Sequence, residues 1–362
     1  MIKLSDFVAN FIAKIGVEDV FGISGGASLH LIHSIAEHPK LNIYCPLHEQ
    51  AGAMAADAYS RVTRNTGVAV GTSGPGATNM VTGICCSYFD SIPVIYITGQ
   101  VATFRLKGDL GVRQYGFQET DIVSMCKSIT KYAVTIKDPK KIRYELEKAH
   151  YISRNGRPGP VLIDIPDDLQ RVEIDANELL GFVPNIKIND SPLLSKIEDF
   201  LPLLYEANRP VIILGWGVRL AKADKEAIEL IKRLGIPIAL TWGVADLLPY
   251  ESRELIGTFG THGTRYGNFA VQNSDLIISI GARLDTHETG SPISSFAREA
   301  KKIVVDIDVH ELNKASHFGM KIEHPIKADA KKFISILLKC IDLTKLSNID
   351  DWKLKIKEWK YS

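Results

Sequence analysis

The chain opens with apolar residues spaced three and four apart: Leu4, Phe7, Val8, Phe11, Ile12 and Ile15. That period is one face of an α-helix, and Gly16 supplies its stop. Short apolar runs and helical periods then alternate. The runs predict strands at Asp19–Ile23, Asn42–Cys45, Gly67–Val70, Ile92–Thr98 and Val161–Ile165. The helical periods fall at Leu29–Ile35, Glu49–Arg61, Thr78–Phe89 and near Lys140–Ser153. Continuous apolar strands separated by helices are the pattern of a parallel sheet covered on both faces.

Between residues 167 and 195 the period is lost, and Asp167, Asp168, Glu173, Asp175, Pro184 and Pro192 read as an extended linker. A second alternating series follows. Strands are predicted at Val211–Leu214, Ile236–Leu240, Leu276–Ile280 and Ile303–Ile307, with helices at Ala223–Leu234, Thr264–Asn273 and Ala328–Cys340. The expected fold class is α/β, with two doubly wound parallel-sheet domains. The first spans residues 1–170, a linker 171–190, the second 191–342, and a charged, Trp-bearing tail 343–362 ends in a helical stretch.

Composition narrows the class of function. A length of 362 residues with 45% apolar and 23% charged residues suits a globular protein of two domains. The 43 basic and 42 acidic residues are interspersed, so no basic stripe argues for nucleic acid. No apolar run has the length of a membrane span, and the N-terminus lacks the form of a signal peptide. Five cysteines, with Cys85 and Cys86 adjacent and none in metal-ligand spacing, suggest reduced thiols in a cytoplasmic protein. No metal site is expected within this chain.

Four segments carry candidate chemistry, each where a strand ends and a doubly wound sheet offers a ligand crevice. In FGISGGA, Gly25 and Gly26 form a turn between strand and helix. In PLHEQAGAMAADAYSR, Glu49 begins a helix, where the dipole alone favours a carboxylate. In GTSGPGATN, Gly74 and Gly76 flank Pro75, and Thr78 or Asn79 stands at a helix start. GFQE places Phe117 beside Gln118 and Glu119 in a turn-like stretch. Each signal alone is weak, since tight turns use glycine whether or not a ligand is near.

Together and in this order, the segments resemble the N-terminal domain of thiamine-diphosphate enzymes, in the acetolactate synthase-like branch. The resemblance continues through ITGQ at Ile97–Gln100, GRPGPVLIDIP at Gly156–Pro166, GARLD at Gly281–Asp285 and VDID at Val305–Asp308. It implies that Glu49 is the catalytic carboxylate that hydrogen-bonds the cofactor's aminopyrimidine and favours its imino tautomer, the form that acts as internal base. Such work suits a carboxyl in apolar surroundings, for which Cys45, Ala51, Ala53 and Met54 are candidates. Gly25, Gly26, Gly74, Pro75 and Asn79 are implied to border the thiamine diphosphate, while Phe117 and Gln118 line the substrate side. Gln118 is also a candidate catalytic donor to a substrate oxygen. His48 is either a pocket residue or a packing one.

The second domain resembles the central domain that binds FAD in acetolactate synthases. Gly215 and Gly217 of ILGWGVRL would let a turn approach a phosphate. Thr241 and Trp242 of TWG, Thr261 and His262 of GTHG, and Gly281, Ala282, Arg283 and Asp285 of GARLD continue the pattern. Arg283 and Arg157 are candidates for the flavin diphosphate, and Asp306 and Asp329 for its ribityl or adenosine portion. Related central domains hold no nucleotide, or ADP.

The implied activity is decarboxylation of a 2-oxoacid, pyruvate above all, with transfer of the two-carbon unit to a carbonyl acceptor. The alternatives are a decarboxylase or lyase of the same superfamily, or a non-catalytic nucleotide-binding fragment. Two departures bear on the acceptor: Asp167 stands where the family usually has Lys, and Thr261 where it usually has Met. No GDG motif occurs, so Mg²⁺ and the cofactor diphosphate are expected on a third domain absent from these residues. A homodimer or homotetramer is the expected assembly.

Overall fold

A computed structural model describes residues 1–185 and 191–361. The chain divides into two compact units, Met1–Ile186 and Lys187–Ser362. Each is built around its own six-stranded sheet, and every strand pair in both sheets is parallel.

In the first unit the sheet runs Asn42–Tyr44, Asp19–Gly22, Gly67–Gly71, Val94–Gln100, Val161–Pro166, Tyr132–Thr135. The central strands are buried along their whole length, which is why their sequences are continuous apolar runs rather than alternating ones. The first and third strands in chain order, Asp19–Gly22 and Gly67–Gly71, lie side by side. There the winding reverses, and the loops leaving the two strands diverge to opposite faces. Helix Leu4–Lys14 buries Leu4, Val8, Phe11 and Ile12, the stripe its period predicts. The helix expected over Thr78–Phe89 is divided into Pro75–Thr78 and Val81–Phe89.

The second unit orders its sheet Leu255–Thr258, Ile238–Leu240, Pro210–Leu214, Leu276–Ile280, Lys301–Asp306, His324–Lys327. In chain order that is 3-2-1-4-5-6, the arrangement of dinucleotide-binding folds. Its switch point lies between Pro210–Leu214 and Leu276–Ile280.

One segment differs from expectation. Part of the expected linker belongs to the first unit: Glu173–Ile174 pairs antiparallel with Ile2–Lys3, and Ile174 and Leu179 are buried in that core. Residues 186–190 lie outside the described residues. The tail is the helix its sequence predicts, Asp350–Tyr361, and its Trp352 and Ile356 are buried in the core of the second unit. Trp352 donates its indole N–H to the Pro210 carbonyl at 3.2 Å, and Trp359 packs edge-on against Phe269. A buried apolar stripe and a satisfied indole make this an integral helix. Trp352→Ala is expected to destabilise the second unit by about 3–5 kcal/mol, read by denaturant unfolding.

One polar group sits in the middle of the first sheet. Asp164, only 1% exposed, is flanked in register by Thr98 on one side and Thr135 on the other. It accepts from Thr98 Oγ1 at 2.6 Å, Gln100 Nε2 at 3.1 Å and Thr135 Oγ1 at 3.1 Å. Burial still dominates, and with a small repulsion from Asp121 it pushes the carboxyl up to about 7. The folded chain therefore keeps a proton that the unfolded chain has released above its ordinary value of 3.8. The stability this group confers is full below about pH 4, falls as pH rises to about 7, and is flat beyond. Unfolding measured across pH should show that decline, on the order of 4 kcal/mol, and Asp164→Asn should remove it.

Candidate active site

The first cluster forms at the switch point of the first unit. Glu49 opens helix Glu49–Thr63, which His48 caps by accepting from the Gln50 amide on Nδ1 at 3.1 Å. His48 is exposed, and this cap is the role the structure gives it. The half-buried Glu49 receives a hydrogen bond on Oε2 from Asn79 Nδ2 at 2.9 Å. Carboxylate and amide, 30 residues apart in sequence, thus face each other across the crevice.

The loops are brought together by close packing. A Cβ on Gly76 would stand 2.5 Å from Thr72 Cγ2 and 3.4 Å from Glu49 Oε1. A Cβ on Gly25 would stand 2.6 Å from Thr72, from the other side. Thr72 is therefore gripped between two residues that must be glycine, and Glu49 Oε1 faces the bare edge of one of them. Gly74 has φ of 60°, and a Cβ there would meet Gln118 Cβ at 2.9 Å. Gly26 differs: nothing lies within 4 Å of where its Cβ would be. Pro75 is exposed and begins the short helix after Gly74.

So Gly25, Gly74, Gly76, Asn79, Glu49 and Gln118 share one neighbourhood. Phe117 is beside it and 83% exposed. The apolar surroundings expected for Glu49 are partial: Ala53 is buried, while Cys45, Ala51 and Met54 are exposed. Sequence reasoning missed two supports. The Glu119 carboxylate accepts from the amides of Lys107 at 2.7 Å and Tyr115 at 2.9 Å, drawing the loop into shape. Gln100, 3% exposed, donates to the Thr120 carbonyl at 2.8 Å. Polar residues at strand ends next to the GFQE segment were the available signal.

The second cluster forms at the switch point of the second unit. A Cβ on Gly215 would stand 2.3 Å from the Gly281 carbonyl oxygen, and the Gly217 amide donates to that oxygen at 2.9 Å. These glycines are required first by loop-on-loop packing. Ala282, Arg283 and Asp306 line one small pocket with Glu311, Lys314 and Met320. Arg283 pairs with Asp285. Burial opposes ionisation of Asp285, but its bonds to Arg283 and to the amides of His287 and Glu288 outweigh that and hold its pKa below the ordinary value. Trp242, 54% exposed, stacks on His262 with ring centroids 5.3 Å apart, and His287 lies tilted against both. Thr261 donates to the His287 carbonyl through its amide at 2.7 Å, and Thr241 bonds back to Leu214.

Two further predicted residues have partners of their own. Asp329 caps helix Ala330–Cys340 by accepting from the Lys332 amide at 3.0 Å. Arg157 belongs to the first unit, where its Nε donates to Ser91 Oγ at 2.8 Å. Missed altogether was Glu288, whose carboxyl burial and the neighbouring Asp285 push up to about 7. Among the described residues no three His, Cys, Asp or Glu side chains converge as a metal site, and no helix is long and apolar enough to cross a membrane.

Comparison with known proteins identifies both domains. The N-terminal TPP binding domain of thiamine pyrophosphate enzymes matches residues 2–125, and the central domain of thiamine pyrophosphate enzymes matches residues 197–337. The chain is 36% identical to an acetolactate synthase large subunit of Cyanidium caldarium, over 99% of this chain and 62% of that protein. It is 38% identical to a probable acetolactate synthase large subunit of Methanocaldococcus jannaschii, over 95% of this chain and 57% of that one. With the Corynebacterium glutamicum large subunit the identity is 36%, over 97% of this chain and 54% of the relative. The chain thus spans little more than half the length of these curated relatives. It belongs to the thiamine pyrophosphate enzymes, of which it carries the N-terminal cofactor-binding domain and the central domain.

Proposed function

We propose that the first unit forms the pyrimidine side of a thiamine diphosphate site in an acetolactate synthase-like carboligase, with Glu49 as its catalytic carboxylate. The observation that carries this reading is the Glu49–Asn79 hydrogen bond, seated between glycine-narrowed loops at the switch point. The donor set fits the cofactor: one carboxylate oxygen is fixed by an amide, and the other faces Gly76, where a Cβ would intrude. Gly26 leaves the entrance open. When bound, thiamine diphosphate supplies a carbanion-stabilising ring for 2-oxoacid decarboxylation and carbon–carbon bond formation.

Glu49 holds a proton toward the pyrimidine, and Asn79 fixes the rotamer from which it does so. Gln118 offers its amide to a substrate carbonyl, and exposed Phe117 covers it. Pyruvate is the proposed donor and a second carbonyl compound the acceptor; the names of the relatives support both. The cofactor diphosphate and Mg²⁺ are assigned, in this reading, to the part of the relatives' length that the chain does not match. FAD is the nucleotide proposed for the second unit, supported by its 3-2-1-4-5-6 sheet, the Arg283–Asp306 pocket and the Trp242 platform. A cytoplasmic location suits the five unpaired cysteines. A homodimer suits the exposed Leu47, Met54, Tyr88 and Phe89 on or beside helices Glu49–Thr63 and Val81–Phe89.

Two experiments test this. The chain joined to the remaining region of the Methanocaldococcus jannaschii relative should form acetolactate from pyruvate with thiamine diphosphate and Mg²⁺. Glu49→Gln should lower that rate by about 10²–10⁴-fold, and retention of most of the activity would overturn the role of Glu49. Separately, the purified chain should carry a yellow chromophore released on denaturation. A protein that stays colourless at saturating FAD contradicts the flavin assignment.

A further inference from the structure

Gln118 stands at φ of 61°, a conformation a residue with a side chain holds only when its surroundings impose it. The Glu119 carboxylate shapes the loop from within, through the amides of Lys107 and Tyr115. Those bonds are local and do not attach the loop to the sheet. Gln100 does: it ends the buried strand Val94–Gln100, and its Nε2 donates to the Thr120 carbonyl, two residues beyond Gln118.

The orientation of that amide is itself fixed. Its Oε1 accepts from the Val101 amide at 3.0 Å, and its nitrogen also donates to Asp164 Oδ2. Turned over, the amide would set its oxygen against the Thr120 carbonyl, its nitrogen against the Val101 amide and, above about pH 7, its oxygen against the Asp164 carboxylate. Asp164 is held in turn by the Thr98 and Thr135 hydroxyls, its register partners on the adjacent strands. A purely stabilising role explains this poorly. The sheet is closed by apolar runs and backbone ladders, and a buried carboxylate is seldom better for stability than an apolar residue of its size. Its distinctive effect is directional: it selects one face of the Gln100 amide.

We propose that Asp164 and Gln100 are positioning residues for the substrate side of the site. The carboxylate orients the amide, the amide holds the Thr120 carbonyl, and that bond seats the loop carrying Gln118 against Gly74. The proposal rests on the reading of Phe117 and Gln118 as substrate-side residues, and its test is independent of activity.

Hydrogen exchange on the chain itself is the measurement. In Gln100→Glu, a carboxylate oxygen replaces the nitrogen opposite Asp164 and the Thr120 carbonyl. The amides of Lys107, Tyr115 and Glu119 should then exchange at least about tenfold faster, while those of Ile97 and Ile163 keep their protection. Adding Asp164→Asn gives the introduced carboxylate a donor and restores the pairing within the sheet, but loop protection should stay lost, since the Thr120 carbonyl keeps only its local bond from the Ile122 amide and none from the sheet. If Gln100→Glu does not fold, Gln100→Ala is read in the same way. Unchanged loop protection overturns the proposal, as does equal loss in loop and sheet. The underlying reading is tested apart, by Gln118→Ala in the chain joined to its relative's remaining region. Full activity there, with the loop still freed by Gln100→Glu, overturns the substrate-side role and leaves the tether standing.

Discussion

The first site depends on one steric constraint: Thr72 lies between Gly25 and Gly76, with no room for a Cβ on either side. This contact draws together the loops that leave two neighbouring strands at the switch point. The second of these loops leads to Asn79, which meets Glu49 from a third loop, and its Gly74 lies against Gln118. The second unit uses the same device, with Gly215 and Gly217 packed on the backbone of Gly281. In both units the glycines act first on protein and only through it on a ligand. Doubly wound sheets open a crevice where their winding reverses, and close loop packing decides how wide it is.

Much of this is legible in the chain, and the omissions have a common cause. The central strands stand out because burial on both faces makes them continuous apolar runs. In the two six-stranded sheets the strands that escape notice are Tyr132–Thr135, Leu255–Thr258 and His324–Lys327, each at an edge of its sheet. An edge strand is short and partly exposed, so its sequence carries no such run. Helix Asp350–Tyr361 is legible as a helix but not as part of the second core, because its apolar positions are few among lysines, although Trp352 and Ile356 suffice to bury one face.

Among site residues, motif order identifies Glu49, Asn79 and the glycine loops, which the fold brings together. It does not show which of the named residues also hold the protein together, as Asp329 at a helix cap demonstrates. Nor can it find Gln100 and Asp164, whose importance is a matter of hydrogen-bond direction inside a sheet. The polar groups in this chain are thus of two kinds. Glu49 is half-buried and aimed at a crevice; Asp164 is sealed in the sheet and aimed at another side chain.

The central claim is that glycine contacts on Thr72 seat the loop that leads to Asn79, the partner of Glu49. A double-mutant cycle on stability measures it most directly. Gly76→Ala places a Cβ against Thr72 Cγ2 and should cost about 1–3 kcal/mol. Thr72→Ala removes that methyl group and should restore most of the loss, giving a coupling energy above about 1 kcal/mol. Strictly additive effects of the two substitutions would contradict the account.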